Sequence, residues 1–175
     1  GWTWTGPGGE HLVLPAPAMR GRVQYHHAAA AIAARRSVGG RRPLPVNALR
    51  SGLSRAQLRG RFQVIPGDVT WILDVAHNRE AAQVLAANLG SFRCPGRVRA
   101  VLAVLADKDP ESIAAPLIPL VDAWFLGQGS DPRAMPAEHL AERLSGVLGG
   151  AERQVLPDLP RALDAALGQS TRGDC

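Results

Sequence analysis

The stretch Val98-Arg-Ala-Val-Leu-Ala-Val-Leu105 decides the fold class of this chain. Only one polar residue interrupts it, so it lacks the alternation that a strand with one solvated face would show. A nearly continuous apolar run of this length is typical of a strand buried on both faces of a parallel sheet. The polar triplet Asp107-Lys108-Asp109 follows closely and predicts a loop at the carboxyl end of that strand.

Predicted strands and helices alternate on both sides of this run. The strands are Trp71–Leu73, Ala123–Leu126 and Gln154–Leu156, and the helices are Arg79–Leu89 after the cap Asn78, Pro110–Leu117, one that opens at Pro136, and one that Asp158 caps. In the last helix, Leu159, Leu163 and Leu167 are expected to face inward. This alternation predicts right-handed crossovers, and therefore an α/β fold with a doubly wound, mostly parallel sheet.

The first 57 residues have a different pattern. A Gly-rich stretch precedes the apolar run Leu12–Leu14, and an Ala-rich helix is predicted over Tyr25–Arg36, with Gly39-Gly40 as its stop. A short amphipathic helix is expected near Asn47–Leu53, and no closed core is evident. We therefore expect two parts, with residues 1–57 as the end of a larger preceding domain and 58–175 as the α/β domain.

Composition indicates a globular chain, because 46% of its 175 residues are hydrophobic and 20% are charged. The formal net charge is +5, but the basic residues are scattered and no aromatic residues interleave with them, so a nucleic-acid partner is unsupported. No stretch is apolar enough to span a membrane, and the first fifteen residues do not resemble a signal peptide. We expect a cytoplasmic protein without a membrane partner.

The two cysteines, Cys94 and Cys175, belong to no CxxC motif and no His/Cys cluster. A single disulfide is open, but reduced and unpaired thiols are the expectation for a cytosolic protein. The neighbouring His26 and His27 would point about 100° apart on a helix, so they do not form a metal site by themselves. No metal-ligating residue is predicted.

Polar clusters follow two of the predicted strands, Asp74-Val-Ala-His77-Asn78 and Asp107-Lys108-Asp109. Ligands of doubly wound sheets gather outside the carboxyl ends of the strands, so both clusters are expected at one site. The Asp74 carboxylate can accept hydrogen bonds from ribose hydroxyls, and the His77 imidazole can donate to a phosphate or carry a proton. Arg61, beside Gly60, offers a fork of donors suited to phosphate oxygens.

Lys108 is the only lysine among twenty basic residues, and two interpretations of it stay open. It is either a compact charge at the site or one half of an ordinary surface ion pair with Asp107 or Asp109. No phosphate loop, GxGxxG, nucleophile elbow or HExxH is present. The residues alone therefore predict an α/β half-site with donors for an anion and a ribose.

Three motifs in succession resemble a known family: Gly60-Arg-Phe-Gln-Val64, Ile72-Leu-Asp-Val-Ala-His-Asn78 and Leu105-Ala-Asp-Lys-Asp109. In this order they resemble the C-terminal domain of bacterial dihydrofolate synthase/folylpolyglutamate synthase, of the Mur ligase superfamily. Gly21-Arg-Val-Gln24 and the following helix resemble the end of its ATPase domain. The resemblance implies a Rossmann-like Mur ligase C-terminal domain over 58–175 that lacks its last strand and helix, and a remnant of the central ATPase domain over 1–57.

The resemblance also implies a reaction. ATP phosphorylates a carboxylate of dihydropteroate or a folate, Mg²⁺ holds the nucleotide, and L-glutamate attacks the acyl phosphate to give an amide. The family phosphate loop is absent from these 175 residues, so we expect the fragment alone to be inactive and the parent to be a monomer. Another Mur-type ligase for peptidoglycan precursors, or a non-catalytic α/β interaction domain, is the alternative.

The resemblance assigns roles to five residues. Arg61 and Asp74 would contact ATP through phosphate and ribose, His77 would lie near the γ-phosphate and glutamate, and Lys108 is the second catalytic candidate. His27 stands where the family has an Asn that helps to hold adenine. Val23 and Arg79 stand where the family has His and Pro. The departure at position 27 puts the adenine contact in question.

Overall fold

The computed structural model describes residues 1–38 and 45–175, which divide into the units Gly1–Phe62 and Gln63–Cys175. The first unit contains strands β1 (Trp2–Thr5) and β2 (His11–Leu14) and helices α1 (Val23–Val38) and α2 (Val46–Arg55). The second unit contains strands β3 (Gln63–Ile65), β4 (Trp71–Leu73), β5 (Arg99–Leu102), β6 (Ala123–Leu126) and β7 (Glu152–Val155), and helices α3 (Arg79–Phe92), α4 (Pro110–Ala114), α5 (Ala137–Leu148) and α6 (Leu159–Gly168). None of the described helices is long and apolar enough to cross a bilayer.

The first unit has a small core of its own, contrary to the sequence-based expectation. Strands β1 and β2 pair antiparallel, and their Trp4, Leu12 and Leu14 are buried against Ile32 of α1. Leu49 and Leu53 of α2 pack on the same cluster. The core was missed because its residues come from four separate elements, so no single stretch of the sequence shows it. The expected helix stop at Gly39-Gly40 lies outside the described residues.

The second unit is built on a parallel sheet in the order β5-β6-β7, which confirms the predicted α/β class. All four residues of β6 are buried, since this central strand is covered on both faces. Strand β5 is shorter than the VRAVLAVL run, and its four residues are partly buried. The helix predicted over Pro110–Leu117 ends at Ala114 and continues as a 3₁₀ segment, where Pro116 and Pro119 remove backbone donors.

Strand β4 does not belong to this parallel sheet, contrary to the prediction that placed it there. Among the described strands it pairs with β3 alone, antiparallel, with Ile72 opposite Val64. The last residues of the chain separate it from β5. Thr70 N donates to Asp174 O at 2.9 Å, while Arg99 N donates to Cys175 O at 2.8 Å. Contacts this far apart along the chain leave no local pattern in the sequence.

Helix α6 is rotated relative to its predicted face. Its buried residues are Ala162 and Ala166, which pack on Phe125 of β6. Leu159 and Leu163 are only half-buried, and Leu167 is 46% exposed. Small alanines allow the helix to lie close to the sheet, so the side facing β6 is the alanine stripe and the leucine stripe lies beside it.

The cysteines form a disulfide, so the expectation of unpaired thiols is corrected. Cys94 and Cys175 are bonded, with their Cα atoms 6.1 Å apart and a sequence separation of 81. The backbone brings them together, because Cys175 N donates to Arg97 O at 3.0 Å and Gly96 N donates to Gly173 O at 2.9 Å. A separation this long gives no spacing motif that could predict the pair.

Candidate functional site

The loop after β4 holds the first polar cluster in a defined shape. Asp74 Oδ1 accepts a hydrogen bond from Ala76 N at 2.9 Å, a turn in which an aspartate fixes the backbone two residues ahead. Asn78 then caps α3, since its Oδ1 accepts from Ala81 N at 2.9 Å. The N-cap prediction is confirmed. Between these two anchors, His77 is exposed.

The contact of the His77 ring determines which nitrogen carries the proton. Its Nδ1 lies 3.0 Å from Val75 O, and a carbonyl oxygen can only accept, so Nδ1–H is the donor. In the neutral ring Nε2 is then the unprotonated nitrogen, and in the charged ring it is a second donor. The loop therefore presents an oriented imidazole that can accept a proton at Nε2 or donate to an anion there.

The second polar cluster, after β5, contains the ion pair that the sequence left open. Lys108 Nζ lies 2.8 Å from Asp107 Oδ2, and this hydrogen bond holds the pKa of the Asp107 carboxyl below its usual value. Asp109 caps α4 and also lies 3.6 Å from Arg143 NH2. The surface ion pair predicted as one alternative is thus present, and it occupies the Lys108 ammonium.

A neighbouring loop that was not predicted as part of the site supports the Lys108 loop. Ala106 N donates to Arg133 O at 2.8 Å, and Met135 N donates to Val104 O at the same distance. Arg133 is itself paired with Asp131, and its hydrogen bonds lower the pKa of that carboxyl. The sequence signal for this contact was weak, because nothing in the residue types of Pro132-Arg-Ala134 indicates that they lie against the Lys108 loop.

Arg61 and His27 belong to the first unit, whereas the other three predicted residues belong to the second. Arg61 is exposed and stands between Gly60 and Phe62, whose φ angles are +67° and +45°. Positive φ is strained for Phe62, which is buried and thereby held. His27 is exposed on α1, with Nδ1 3.3 Å from Gln24 Oε1.

The ends of β4 and β5 line one cavity of about 410 Å³. Asp74 contributes at one end, but most of the lining is apolar, from Ile72, Leu85, Val101 and Leu163 among others. A nucleotide would not find its phosphate or ribose partners in such a wall. Among the residues that the structure describes, no group of three or more His, Cys, Asp or Glu could hold a metal ion.

Comparison with known proteins identifies the family. Residues 60–175 match the family described as Mur ligase, glutamate ligase domain. The chain belongs to the Mur ligase family. The matched Mur ligase residues begin at Gly60 and include both polar clusters.

Comparison with individual proteins adds detail to the family match. The dihydrofolate synthase/folylpolyglutamate synthase of Escherichia coli (strain K12) is 34% identical over 173 residues, 99% of this chain and 38% of that protein. The solved structure of E. coli FolC in complex with DHPP and ADP aligns with a TM-score of 0.84 at 33% identity. The alignment covers 99% of this chain and 39% of the FolC chain.

A crystal structure of a bifunctional folylpolyglutamate synthase/dihydrofolate synthase with Mn, AMPPNP and L-glutamate bound has a TM-score of 0.80 at 34% identity. The alignment covers 99% of this chain and 40% of the synthase chain. The Mur ligase chain described here therefore spans about two fifths of the length of its relatives.

Proposed function

We propose that this chain is part of an ATP-dependent ligase that joins L-glutamate to dihydropteroate, to folates, or to both. The observation that carries the proposal is the family match over residues 60–175, which includes both polar clusters. Relatives named dihydrofolate synthase/folylpolyglutamate synthase support the substrate class, as do structures with ADP, AMPPNP and L-glutamate bound. The reaction phosphorylates a carboxylate, and the glutamate amine then displaces phosphate to form the amide.

The loop after β4 would serve the nucleotide and the phosphoryl group. Asp74, held by its bond to Ala76 N, would accept hydrogen bonds from ribose hydroxyls. His77, oriented through its Nδ1–H bond to Val75 O, would place Nε2 against the transferring phosphate or the glutamate amine. Positioning and charge stabilisation are the main catalytic contributions to phosphoryl transfer, so oriented donors of this kind suit the step.

The remaining predicted residues complete the proposal. Arg61, exposed beside Gly60, would bind phosphate oxygens through its guanidinium fork. His27, on α1, would contact the adenine ring. Lys108 would bind an anionic group of a substrate in place of its present partner, Asp107. Residues 1–57 are proposed as the end of an ATPase domain and residues 58–175 as the ligase C-terminal domain.

The divalent metal that accompanies ATP in such ligases would supply charge neutralisation between the phosphates. The described residues include no three-ligand group for it, so they do not form a metal site on their own. We therefore propose no metal ligand among the described residues. The longer protein is proposed to be a monomer in the cytoplasm.

The first experiment measures steady-state kinetics of the longer protein with Asp74→Ala. Loss of a charge-assisted hydrogen bond costs about 1.5–3 kcal/mol, so the ATP Michaelis constant should rise roughly tenfold to a hundredfold. Asp164→Ala is the matched control, because Asp164 is an exposed carboxylate on α6. An unchanged ATP Michaelis constant and turnover for Asp74→Ala would contradict the ribose assignment.

A second experiment tests the chemical step with His77→Ala. We expect turnover to fall at least about tenfold with little change in melting temperature, since the exposed ring contributes to the transition state rather than to packing. His139→Ala on α5 is the control, because that histidine is also exposed. Normal turnover per folded molecule would favour a His77 that only orders its loop.

The same assays separate the alternatives. A peptidoglycan-type ligase would consume ATP only with a precursor of that pathway and would ignore pteroate and folate. A non-catalytic interaction domain would show no nucleotide-dependent shift in melting temperature even in the longer protein. Either result would replace the folate proposal.

A further inference from the structure

The Cys94–Cys175 disulfide ties Cys175 to the loop between α3 and β5. Both cysteines are half-buried, and Arg93 and Pro95, on either side of Cys94, are exposed. The Cys94 end of the bond therefore lies at the surface, where a small thiol can reach it. Disulfides are rare in cytosolic proteins and, where present, are usually transient, catalytic or redox-sensing. In the cytoplasmic compartment proposed for the longer protein, a bond in this position is expected to be reversible.

Backbone hydrogen bonds hold the two cysteines together without help from the sulfur atoms. Cys175 N donates to Arg97 O at 3.0 Å, and Gly96 N donates to Gly173 O at 2.9 Å. Reduction leaves these bonds intact, so the two Cα atoms stay about 6.1 Å apart, within the range in which a disulfide forms. The reduced pair is thus already placed for the bond to form again.

The reduced form also has acceptors for its thiol hydrogen. Cys94 Sγ lies 3.6 Å from Gly173 O and 3.8 Å from Arg97 O. The sulfur carries no hydrogen in the disulfide, but a thiol is a weak donor, and these carbonyl oxygens are the acceptors that it would meet. The fold therefore accommodates the thiol and the disulfide at one backbone position, as a reversible redox pair requires.

The disulfide lies at the opposite end of the strands from the loop that holds Asp74. Cys175 is hydrogen-bonded beside Val98, one residue before β5. Thr70 N, one residue before β4, donates to Asp174 O at 2.9 Å. Asp74 follows the other end of β4, about 13 Å of extended chain from Thr70. Opening the bond therefore changes the anchoring of the amino ends of the strands and leaves the Asp74 loop in place.

We propose that Cys94 and Cys175 form a reversible redox modification site, which exchanges with small thiols and sets the stability of the second unit without changing the Asp74 loop. The thiolate of a monothiol attacks Cys94 Sγ, the S–S bond breaks, and the electron pair leaves with Cys175 Sγ. A second thiolate attacks the monothiol sulfur of this mixed disulfide, and the electron pair leaves with Cys94 Sγ.

The electrons and protons of this exchange balance. Two monothiols are oxidised to one disulfide, the protein gains two electrons, and the two protons of the monothiols pass to the cysteine thiolates. The reverse sequence, with the disulfide of the monothiol as the oxidant, closes the protein bond again. Exchange of this kind does not depend on the ligase proposal.

Linkage between the bond and the fold determines how strongly folding favours oxidation. The bond closes a loop with a sequence separation of 81, and a disulfide of this kind stabilises a folded state by about 2–4 kcal/mol. Folding must favour the bond by the same free energy. The oxidation equilibrium constant of the folded chain should therefore exceed that of the unfolded chain by about 30- to 1000-fold.

The test equilibrates the chain with reduced and oxidised glutathione in varied ratio, blocks free thiols with a maleimide, and counts the blocked cysteines by mass spectrometry. We expect one transition in which both thiols appear together, and its reversal when oxidised glutathione is restored. In urea, the same transition should require a buffer that is more oxidising by the factor given above. A folded pair that stays oxidised at the most reducing ratio, or stays reduced at the most oxidising one, would overturn the proposal.

Single variants test the assigned point of attack. Cys175→Ser, which keeps Cys94, should form a mixed disulfide with oxidised glutathione faster than Cys94→Ser, which keeps Cys175. The reason is that the neighbours of Cys94 are exposed, whereas Asp174 beside Cys175 is buried. The opposite order of rates would overturn attack at Cys94.

Kinetics of the longer protein test whether the Asp74 loop is unaffected. The oxidised and reduced forms should have the same ATP Michaelis constant but different urea midpoints. A Michaelis constant that changes with the redox state would overturn the separation of the two ends of the strands. Absence of ATP turnover in both forms would contradict the ligase proposal, and the glutathione titration would still decide the redox proposal.

Discussion

Removal of the Cys94–Cys175 disulfide should destabilise the second unit by several kcal/mol. The bond closes a loop with a sequence separation of 81 residues, and it holds Cys175 beside the strand that contains Arg99. The closed loop includes the whole parallel sheet, α4, α5 and α6, whereas β3, β4 and α3 lie outside it. Opening it therefore restores freedom to most of the unfolded unit.

The size of the effect follows from the loop length. The chain-entropy relation for a loop of 81 residues gives about 4.5 kcal/mol at 25 °C. The hydrogen bonds of Gly173 and Cys175 persist in the reduced protein, so the folded state loses little, and we expect about 2–4 kcal/mol in practice. For a domain stable by about 5–15 kcal/mol, that is a large fraction.

The assay is urea unfolding of the oxidised chain, the chain with a thiol reductant, and the variants Cys94→Ser and Cys175→Ser. With a urea dependence of about 1–3 kcal/mol per molar, the midpoint should fall by roughly 1–2 M on reduction and in either variant. Reductant should have no further effect on Cys94→Ser, which serves as the internal control.

An unchanged midpoint on reduction, together with two free thiols per folded chain, would refute this reasoning. It would mean that the two sulfur atoms are neighbours without a bond. It would also support the cytoplasmic compartment proposed for the longer protein, because reducing compartments keep such thiols unpaired.

Three further outcomes are expected. Hydrogen bonds from Thr171 N, Arg97 N and the Arg99 side chain hold the pKa of the Asp174 carboxyl at about 2. This carboxylate therefore contributes stability above pH ~4, and the contribution is lost as the pH falls towards 2. Acid unfolding of Asp174→Asn should lack that component, and identical pH profiles for the two proteins would contradict the prediction. Asn78→Ala should lower the free energy of unfolding by about 1 kcal/mol through loss of the α3 cap, against a near-zero effect for Gln83→Ala, an exposed position in the interior of the same helix, measured by urea unfolding. The isolated chain should release no ADP in response to glutamate and a pteroate or folate, because no glycine-rich phosphate loop occurs in its 175 residues. Substrate-dependent ADP release above background would disprove this prediction.

Local chemistry explains which parts of the fold could be predicted from the sequence. The α3 cap at Asn78 and the start of α5 after Pro136 are decided within one helical turn, and both predictions are confirmed. Strand β6 is confirmed residue for residue, because an apolar run buried on both faces needs no partner information.

Non-local contacts explain the errors. The partner of β4 and the Cys94–Cys175 bond depend on where the last residues of the chain lie, and the buried face of α6 depends on its contact with β6. The α6 leucines that the sequence predicted to face inward instead line the cavity beside β4 and β5.

The predicted site residues raise a different question, since the ion pair of Lys108 could be taken as evidence against a catalytic role. The energies argue otherwise. An ion pair this exposed is worth only about 0.2–1 kcal/mol, whereas a substrate carboxylate or phosphate can gain charge-assisted bonds of about 1.5–3 kcal/mol. A substrate could thus displace Asp107 at small cost. The pair keeps the ammonium oriented on a loop that Arg133 O supports through Ala106 N. An occupied lysine on a supported loop is therefore compatible with a catalytic role, and we expect Lys108→Ala to lower turnover of the longer protein with little change in its melting temperature.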